Sequence, residues 1–398
     1  MARFVYADNA ATTAVSPEVI AAMQPCFEQA WGNPSSLHAK GREAKAMLDE
    51  ARASIAKTLG CQPNEIYFTS GGTESDNWAI KGAARRQRAK GRTRIVTSAI
   101  EHHAVLNTCE ALEKEGFDIT YIGVDQYGTV KLDELRAAVD EKTALVAIMY
   151  ANNEIGTIEP IEEIAKIAHA AGALMFTDAV QAIGNVDINL STLGVDMLAL
   201  SGHKIHAPKG IGLLYVKKGV VIDNLIDGGG QERRKRGGTE NLPYAVGLAK
   251  ALEIAQARVS ELDRVRKMRD RLIDELTKIP YSQLNGHRTC CLAGNVNIGF
   301  EFIEGESMLL WLDIAGICAS TGSACSSASL EASHVLLATG VPHERAHGSL
   351  RLSISHDTTD EDVDYIIETL PGIVKKLREM SPLWEDVVKE KGDCYAVQ

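Results

Sequence analysis

Short apolar runs alternate with amphipathic stretches along most of this chain. Arg94–Ser98 (RIVTS), Asp118–Val124 (DITYIGV), Ala144–Tyr150 (ALVAIMY), Leu174–Asp178 (LMFTD), Met197–Ser201 (MLALS) and Gly212–Val216 (GLLYV) are each bounded by polar or turn residues. Between several of them, LDELRAAVD and IEEIAKIAHAAG repeat their apolar positions at helical spacing. Near-continuous apolar strands separated by helices predict a mostly parallel sheet covered on both faces. YIGV and GLLYV fit the same sheet, with an edge strand free to run antiparallel. From about Leu242 to Thr277 a stretch rich in Ala, Leu, Glu and Arg predicts one long helix bridging two lobes. NVNIGF, a helix-like GESMLLWLDIAG and SLRLSIS follow it. A terminal helix opens at Thr359, whose hydroxyl and following acids suit a helix start. The pattern predicts a large α/β lobe followed by a smaller α+β lobe. The N-terminal dozen residues fit against either.

Composition narrows the function. The 398 residues are 45% hydrophobic and 24% charged, with a formal net charge of −11. Such a chain is long enough for two lobes and more than one core. Its acidic balance argues against a nucleic-acid partner, which needs a basic field. The single basic run, Arg233-Arg234-Lys235-Arg236, reads as a solvated loop or a local anion site. No apolar run is long enough to cross a membrane, and MARFVYADNAATT lacks the layout of a signal peptide, so a cytoplasmic protein is expected. None of the eight cysteines sits in a C-x-x-C pair, so spacing suggests neither a zinc site nor a redox dithiol. Ala319–Ser329 (ASTGSACSSAS) surrounds Cys325 with ten small or hydroxylic residues, an unusual setting for a thiol exposed to oxidation.

Four segments carry candidate chemistry. In LSGHKIHAPKGIG, Lys204 follows an apolar strand and precedes a Pro/Gly turn. A lysine desolvated at the mouth of a sheet can form an imine, although the same pattern also describes a surface turn lysine. In FTSGGTESDNWAIKGA a strand ends, Gly71 and Gly72 turn the chain, and Thr73 is expected to cap a helix carrying Glu74 and Asp76. Free N–H groups there suit a phosphate dianion; the alternative is an ordinary strand–turn–helix junction. Asp178 ends the strand LMFTD with Gln181 three residues on, where an acid faces the ligand crevice of an open sheet and could keep a ring nitrogen protonated. His102 and His103 lie just past another strand, where a histidine can stack on a flat cofactor and move protons. Imine lysine, phosphate cradle and ring acid together describe pyridoxal 5′-phosphate chemistry.

The motifs YADNAATT, GNPSSLH, FTSGGTES, EHHAV, ANNEIGTIEPI, TDAVQAIG, LSGHKIHAPKGIG, RGGTEN, STGSACSS and HGSLRLSIS occur in this order over nearly the whole chain. The sequence resembles the NifS/IscS-type cysteine desulfurases, fold-type I pyridoxal-phosphate enzymes. The resemblance implies a large cofactor-binding domain at 14–256 and a small domain of 1–13 and 257–398. It implies that Lys204 binds the cofactor as an imine, that Asp178 pairs with the ring nitrogen and Gln181 with the phenolic oxygen, and that His102 stacks on the ring. Gly72, Thr73, Ser201 and His203 would hold the phosphate, and Asn153 would touch cofactor and substrate. Thr239 would reach the phosphate in a neighbouring subunit, implying a homodimer. Arg351, assisted by Asn33, would clamp the substrate carboxylate. Cys325 would take sulfur from L-cysteine as a persulfide, leave L-alanine, and pass the sulfur to an IscU/NifU-like iron–sulfur scaffold; the same thiol is the candidate for a shared cluster ligand. A loop of Gly, Ser and Ala would let it swing between cofactor and acceptor. His103 and His356 depart from the family pattern, His356 standing where arginine is common. The tail SPLWE looks like the housekeeping branch, whereas much of the rest is closer to the nitrogen-fixation branch. Selenocysteine lyase activity, transamination and a non-catalytic scaffold are the competing readings.

Overall fold

The computed structural model describes residues 3–321 and 332–391, the side chains of 386–388, 390 and 391 excepted. Its strands are β1 (Val5–Tyr6), β2 (Ile66–Thr69), β3 (Arg94–Ser98), β4 (Asp118–Ile122), β5 (Thr143–Ala147), β6 (Leu174–Asp178), β7 (Met197–Ser201), β8 (Gly212–Val216), β9 (Ser282–Leu284), β10 (Asn295–Phe300), β11 (Ile317–Cys318) and β12 (Ser349–Ser353). Seven of them form one sheet in the order β2-β8-β7-β6-β5-β3-β4. Every residue of β5, β7 and β8 is buried, as expected for strands covered on both faces.

The antiparallel member is not the edge strand that the sequence suggested. β8 runs antiparallel to both its neighbours, β7 and β2, inside the sheet. Two reversals restore direction, so β2 points the same way as β7. The end of β2 therefore reaches the same rim as the ends of β3, β6 and β7. At that rim the backbones of Gly71 and Gly212 nearly touch: a Cβ on Gly212 would stand 2.7 Å from Gly71 Cα and 2.6 Å from the Leu200 carbonyl oxygen. No residue with a side chain fits there.

A second sheet, β12-β10-β9, is antiparallel, and β1 pairs with β11. It anchors its own apolar cluster, in which Val5, Leu272, Val296, Phe300, Leu312, Leu352 and Leu370 are buried together. The expected single helix over Leu242–Thr277 is two. One spans Leu242–Arg258 and the other Asp263–Leu276, with a 3₁₀ turn at Val259–Glu261 between them. The break has a packing reason: Leu248 and Leu252 belong to the large-sheet core, whereas Leu262, Val265 and Leu272 belong to the small-sheet core. One straight rod cannot present its apolar stripe to both. The terminal helix Asp360–Glu379 begins as expected, with Thr359 and Asp362 forming a reciprocal capping box.

The N-terminal strap joins both bodies rather than choosing one. Asn9 N–H and Ala10 N–H donate to the Ser353 carbonyl and hydroxyl on β12, while Thr13 N–H donates to the His203 carbonyl beyond β7. Among the described residues, no helix is long and apolar enough to cross a membrane.

Candidate active site

The rim of the large sheet opens on a cavity of about 400 Å³. Gly72, Thr73, Asp76, His102, His103, Asn153, Asp178, Gln181, Ser201, His203, Lys204 and Arg351 all line it. Sequence expectation and geometry agree on this convergence.

Lys204 closes the short 3₁₀ turn after β7, and its Nζ donates to the carbonyls of Ala10 (2.5 Å) and Ala11 (2.8 Å) on the strap. Gln181 Nε2 donates to the same Ala10 carbonyl. Asp178 ends β6, and its Oδ1 accepts the Val180 N–H at 2.8 Å. Burial lifts its pKa to about 6, held back by that N–H and by the Lys204 charge.

His102 is the N-cap of the helix His103–Lys114, and its Nδ1 accepts the Ala104 N–H at 3.1 Å. That contact puts the proton of the neutral ring on Nε2. Burial, reinforced by the Lys204, His103 and His334 charges, pushes its pKa down to about 4, so it is neutral at pH 7. His203, with Nδ1 3.1 Å from the Thr12 hydroxyl, is likewise lowered to about 4 by burial and then by Lys204 and Lys209.

Thr73 is not the cap that the sequence suggested. The helix Gly72–Arg88 starts one residue earlier, with Gly71 at the N-cap and no side-chain cap bond. Thr73 sits inside the first turn, where the amides have no acceptor within the helix. A Cβ on Gly72 would come within 2.8 Å of Val180 Cγ2, so glycine keeps this turn against the floor of the cavity.

Arg351 reaches the cavity from β12. It is 2% exposed, donates through one amino group to the Asn153 carbonyl (3.0 Å) and through the other to Asp8 Oδ1 (3.1 Å), and leaves Nε unpaired. Asn33, expected beside the substrate, is not brought here, and Thr239 is expected to serve a neighbouring subunit's cofactor instead. Asn33 is exposed in a turn where its Oδ1 accepts the Ser35 N–H, and Thr239 is exposed on its own loop. Cys325 lies outside the described residues, as does Cys394.

Sequence reasoning gave no role to the acids behind the cavity. Asp76 is fully buried and its Oδ1 has no hydrogen-bond partner. Burial first, then Asp178 and Glu101, raise its pKa well above the carboxylate range. Glu101 accepts from the Ser98 hydroxyl and the Met149 N–H, yet burial still lifts it to about 8. His334, whose Nε2 is 3.0 Å from the Glu101 carbonyl, packs against His103 with ring centroids 4.8 Å apart and the planes tilted by 41°. Asp76 had a local signal, one helical turn beyond Gly72. Nothing near His334 in sequence points to this site.

The arrangement fits pyridoxal phosphate: a lysine amine, a buried acid, a neutral imidazole and a helix start at Gly72 share one cavity. Among the described residues no cluster of His, Cys, Asp and Glu could hold a metal ion.

Comparison with known proteins agrees. The model of the class-V aminotransferase family matches residues 5–366. A protein of Methanosarcina thermophila named cysteine desulfurase IscS is 58% identical over 380 residues, covering 95% of this chain and 94% of that one. A protein of the same name from Clostridium botulinum strain Hall is 51% identical over 98% of this chain and 99% of its own length. The solved structure of a NifS-like protein superposes with a TM-score of 0.89 at 40% identity, over 94% of this chain and all of that one.

Proposed function

The chain belongs to the class-V aminotransferase family and, within it, to the IscS/NifS-type cysteine desulfurases; from that membership we propose how its own residues perform the reaction. The enzyme depends on pyridoxal phosphate, converts L-cysteine to L-alanine, and supplies sulfur for iron–sulfur cluster assembly. When bound, the cofactor supplies an electron sink for negative charge at the substrate Cα.

Lys204 would hold the cofactor through its amine, and its Nζ would also carry the Cα proton. Asp178 would pair with the ring nitrogen and Gln181 would meet the phenolic oxygen. Neutral His102 would cover the ring face and offer Nε2–H. Gly72, Thr73, Ser201 and His203 would hold the phosphate, with the first-turn amides as donors. Arg351 would exchange its Asp8 contact for the substrate carboxylate, which a planar guanidinium binds through two bonds. The Asn153 side chain and Asn33 would complete the substrate pocket.

The Cys325 thiolate would attack the substrate sulfur. The substrate Cβ–S bond breaks, an S–S bond forms on Cys325, and Cβ takes a proton, so cysteine plus thiol becomes alanine plus persulfide. The acceptor is an IscU/NifU-like scaffold, with Cys325 as a shared cluster ligand during transfer. Thr239, exposed on its loop, would serve the cofactor of a second copy in a homodimer. Residues 14–256 would form the cofactor-holding domain, and 1–13 with 257–398 the smaller one. The setting is the cytoplasm, where a reactive thiol stays reduced.

The observation that supports this most is the meeting of Lys204, Asp178, His102 and Arg351 on one cavity. Intact mass tests it. Borohydride should fix the cofactor on Lys204, and L-cysteine should add one sulfur to Cys325. A Cys325→Ala protein that turns over L-cysteine at the full rate without added thiol overturns the thiol's role.

A further inference from the structure

A second cavity, of about 310 Å³, lies between the two apolar cores. It shares only Ala10, Val180, Gln181 and Lys204 with the cofactor cavity. Its apolar walls come from both bodies: Ile183 and Ile205 from the large one, Leu262, Val265 and Ile354 from the small one. Asn295, the first residue of β10, lines it. This side chain is 5% exposed, and neither its Nδ2 nor its Oδ1 has a hydrogen-bond partner.

The other buried asparagines of the described chain do not share this condition. Asn285 donates to the Asn297 side chain, Asn297 donates to the Glu154 carbonyl, and Asn152 uses both ends on the backbone. Burying an unpaired polar group is costly, so a carboxamide left with donor and acceptor both open at a cavity is half of a pair. His356 Nε2, also buried without a partner, lines the same space. With Lys204 engaged by the cofactor, the charged groups left at its wall are Glu18, Asp357 and Arg258. That remaining field disfavours an anion, and the apolar walls disfavour any bare charge.

We propose that this cavity binds a small uncharged molecule whose apolar body carries a carboxamide-type edge, donor beside acceptor, paired with Asn295. The apolar walls supply affinity and the single amide supplies orientation, as in ligand pockets generally. The site adjoins the cofactor cavity, sharing Gln181 and Lys204 with it, and occupancy there does not require turnover.

Benzamide is the probe, with acetophenone as the analogue that keeps ring and acceptor but lacks the donor. Both are titrated onto the cofactor-loaded enzyme and followed by saturation-transfer NMR, so that the first cavity is filled. Benzamide should bind in the millimolar range and acetophenone about tenfold more weakly, because a buried acceptor on Asn295 then stays unpaired. Asn295→Leu, which breaks no hydrogen bond of the side chain, should bind benzamide at least about tenfold more weakly with an unchanged melting temperature. Equal binding of the two probes, equal binding to the variant, or no binding by the wild type overturns the proposal; the last would mean that water alone satisfies Asn295. Should the variant fail to fold, the two-probe comparison on the wild type still decides.

Discussion

Arg52 and Glu232 form a buried ion pair at the edge of the large sheet. The guanidinium donates to both carboxylate oxygens, at 2.8 and 2.7 Å, and also to the Ile66 carbonyl. Glu232 accepts the Phe68 N–H as well, and the Phe68 ring lies 4.6 Å from the guanidinium. At the rim of the same sheet, Asp76, Glu101 and Asp178 are buried just as deeply, yet burial raises the pKa of all three, and the Lys204 charge only partly offsets it at Asp178. Asp76 Oδ1 and Arg351 Nε are left without partners there. The first constellation is complete within the chain. The second is complete only with something added. Buried polar groups that hold the fold are saturated, and those that hold a ligand keep open valences.

The largest expected effect lies at the open site. Lys204→Ala should lower alanine release by about 10²–10⁴-fold or more, abolish borohydride trapping, and leave the melting temperature nearly unchanged. Arg52→Ala should do the reverse. Leaving Glu232 buried and unpaired costs about 3–5 kcal/mol, read by denaturant melts, while turnover per folded molecule persists. A large loss of turnover in Arg52→Ala, or of stability in Lys204→Ala, would break the contrast.

A pH titration sharpens it. The folded pKa of Glu101 lies above its unfolded value of 4.5, at about 8. Between those two values the native state holds a proton that the unfolded state has lost, so stability falls as pH rises through this window. In apoprotein, Glu101→Gln should flatten that decline. It should gain roughly 2–4 °C of melting temperature at pH 8 and nothing near pH 4.5. An unchanged slope would show that Glu101 is not among the groups that give the open site its pH dependence. The smallest effect belongs to an exposed helix pair such as Lys45–Asp49. Lys45→Ala should change stability by less than about 0.5 kcal/mol, since solvent screens the attraction.

Much of this was legible in sequence because it is local. Apolar runs mark β3 to β8, and a residue that ends such a run in an α/β sheet arrives at the rim. That is why Asp178, Ser201 and Lys204 could be placed together before any coordinates, and why Thr359 could be read as a cap. The roles of individual residues, and the membership of Cys325, came from the resemblance to a known family and not from spacing.

Other features depend on partners distant along the chain. Nothing near Gly212 tells that β8 reverses inside the sheet; that follows from its pairing with β2 and β7. The helix expected across Arg258 breaks because its halves belong to different cores. The N-cap lies at Gly71, two residues before the expected Thr73, within the usual uncertainty of helix ends. The sequence by itself determined which segments are strands and which chemical groups end them, since backbone preference and side-chain periodicity act within a few residues. Only the tertiary structure decided that Lys204 leans on the strap at Ala10 and Ala11, that Asp76 lacks a partner, and that Asn33 and Thr239 stand away from the cavity. Those outcomes depend on burial and on contacts between residues as far apart as Ala10 and Ser353, where desolvation and long-range pairing set the energies.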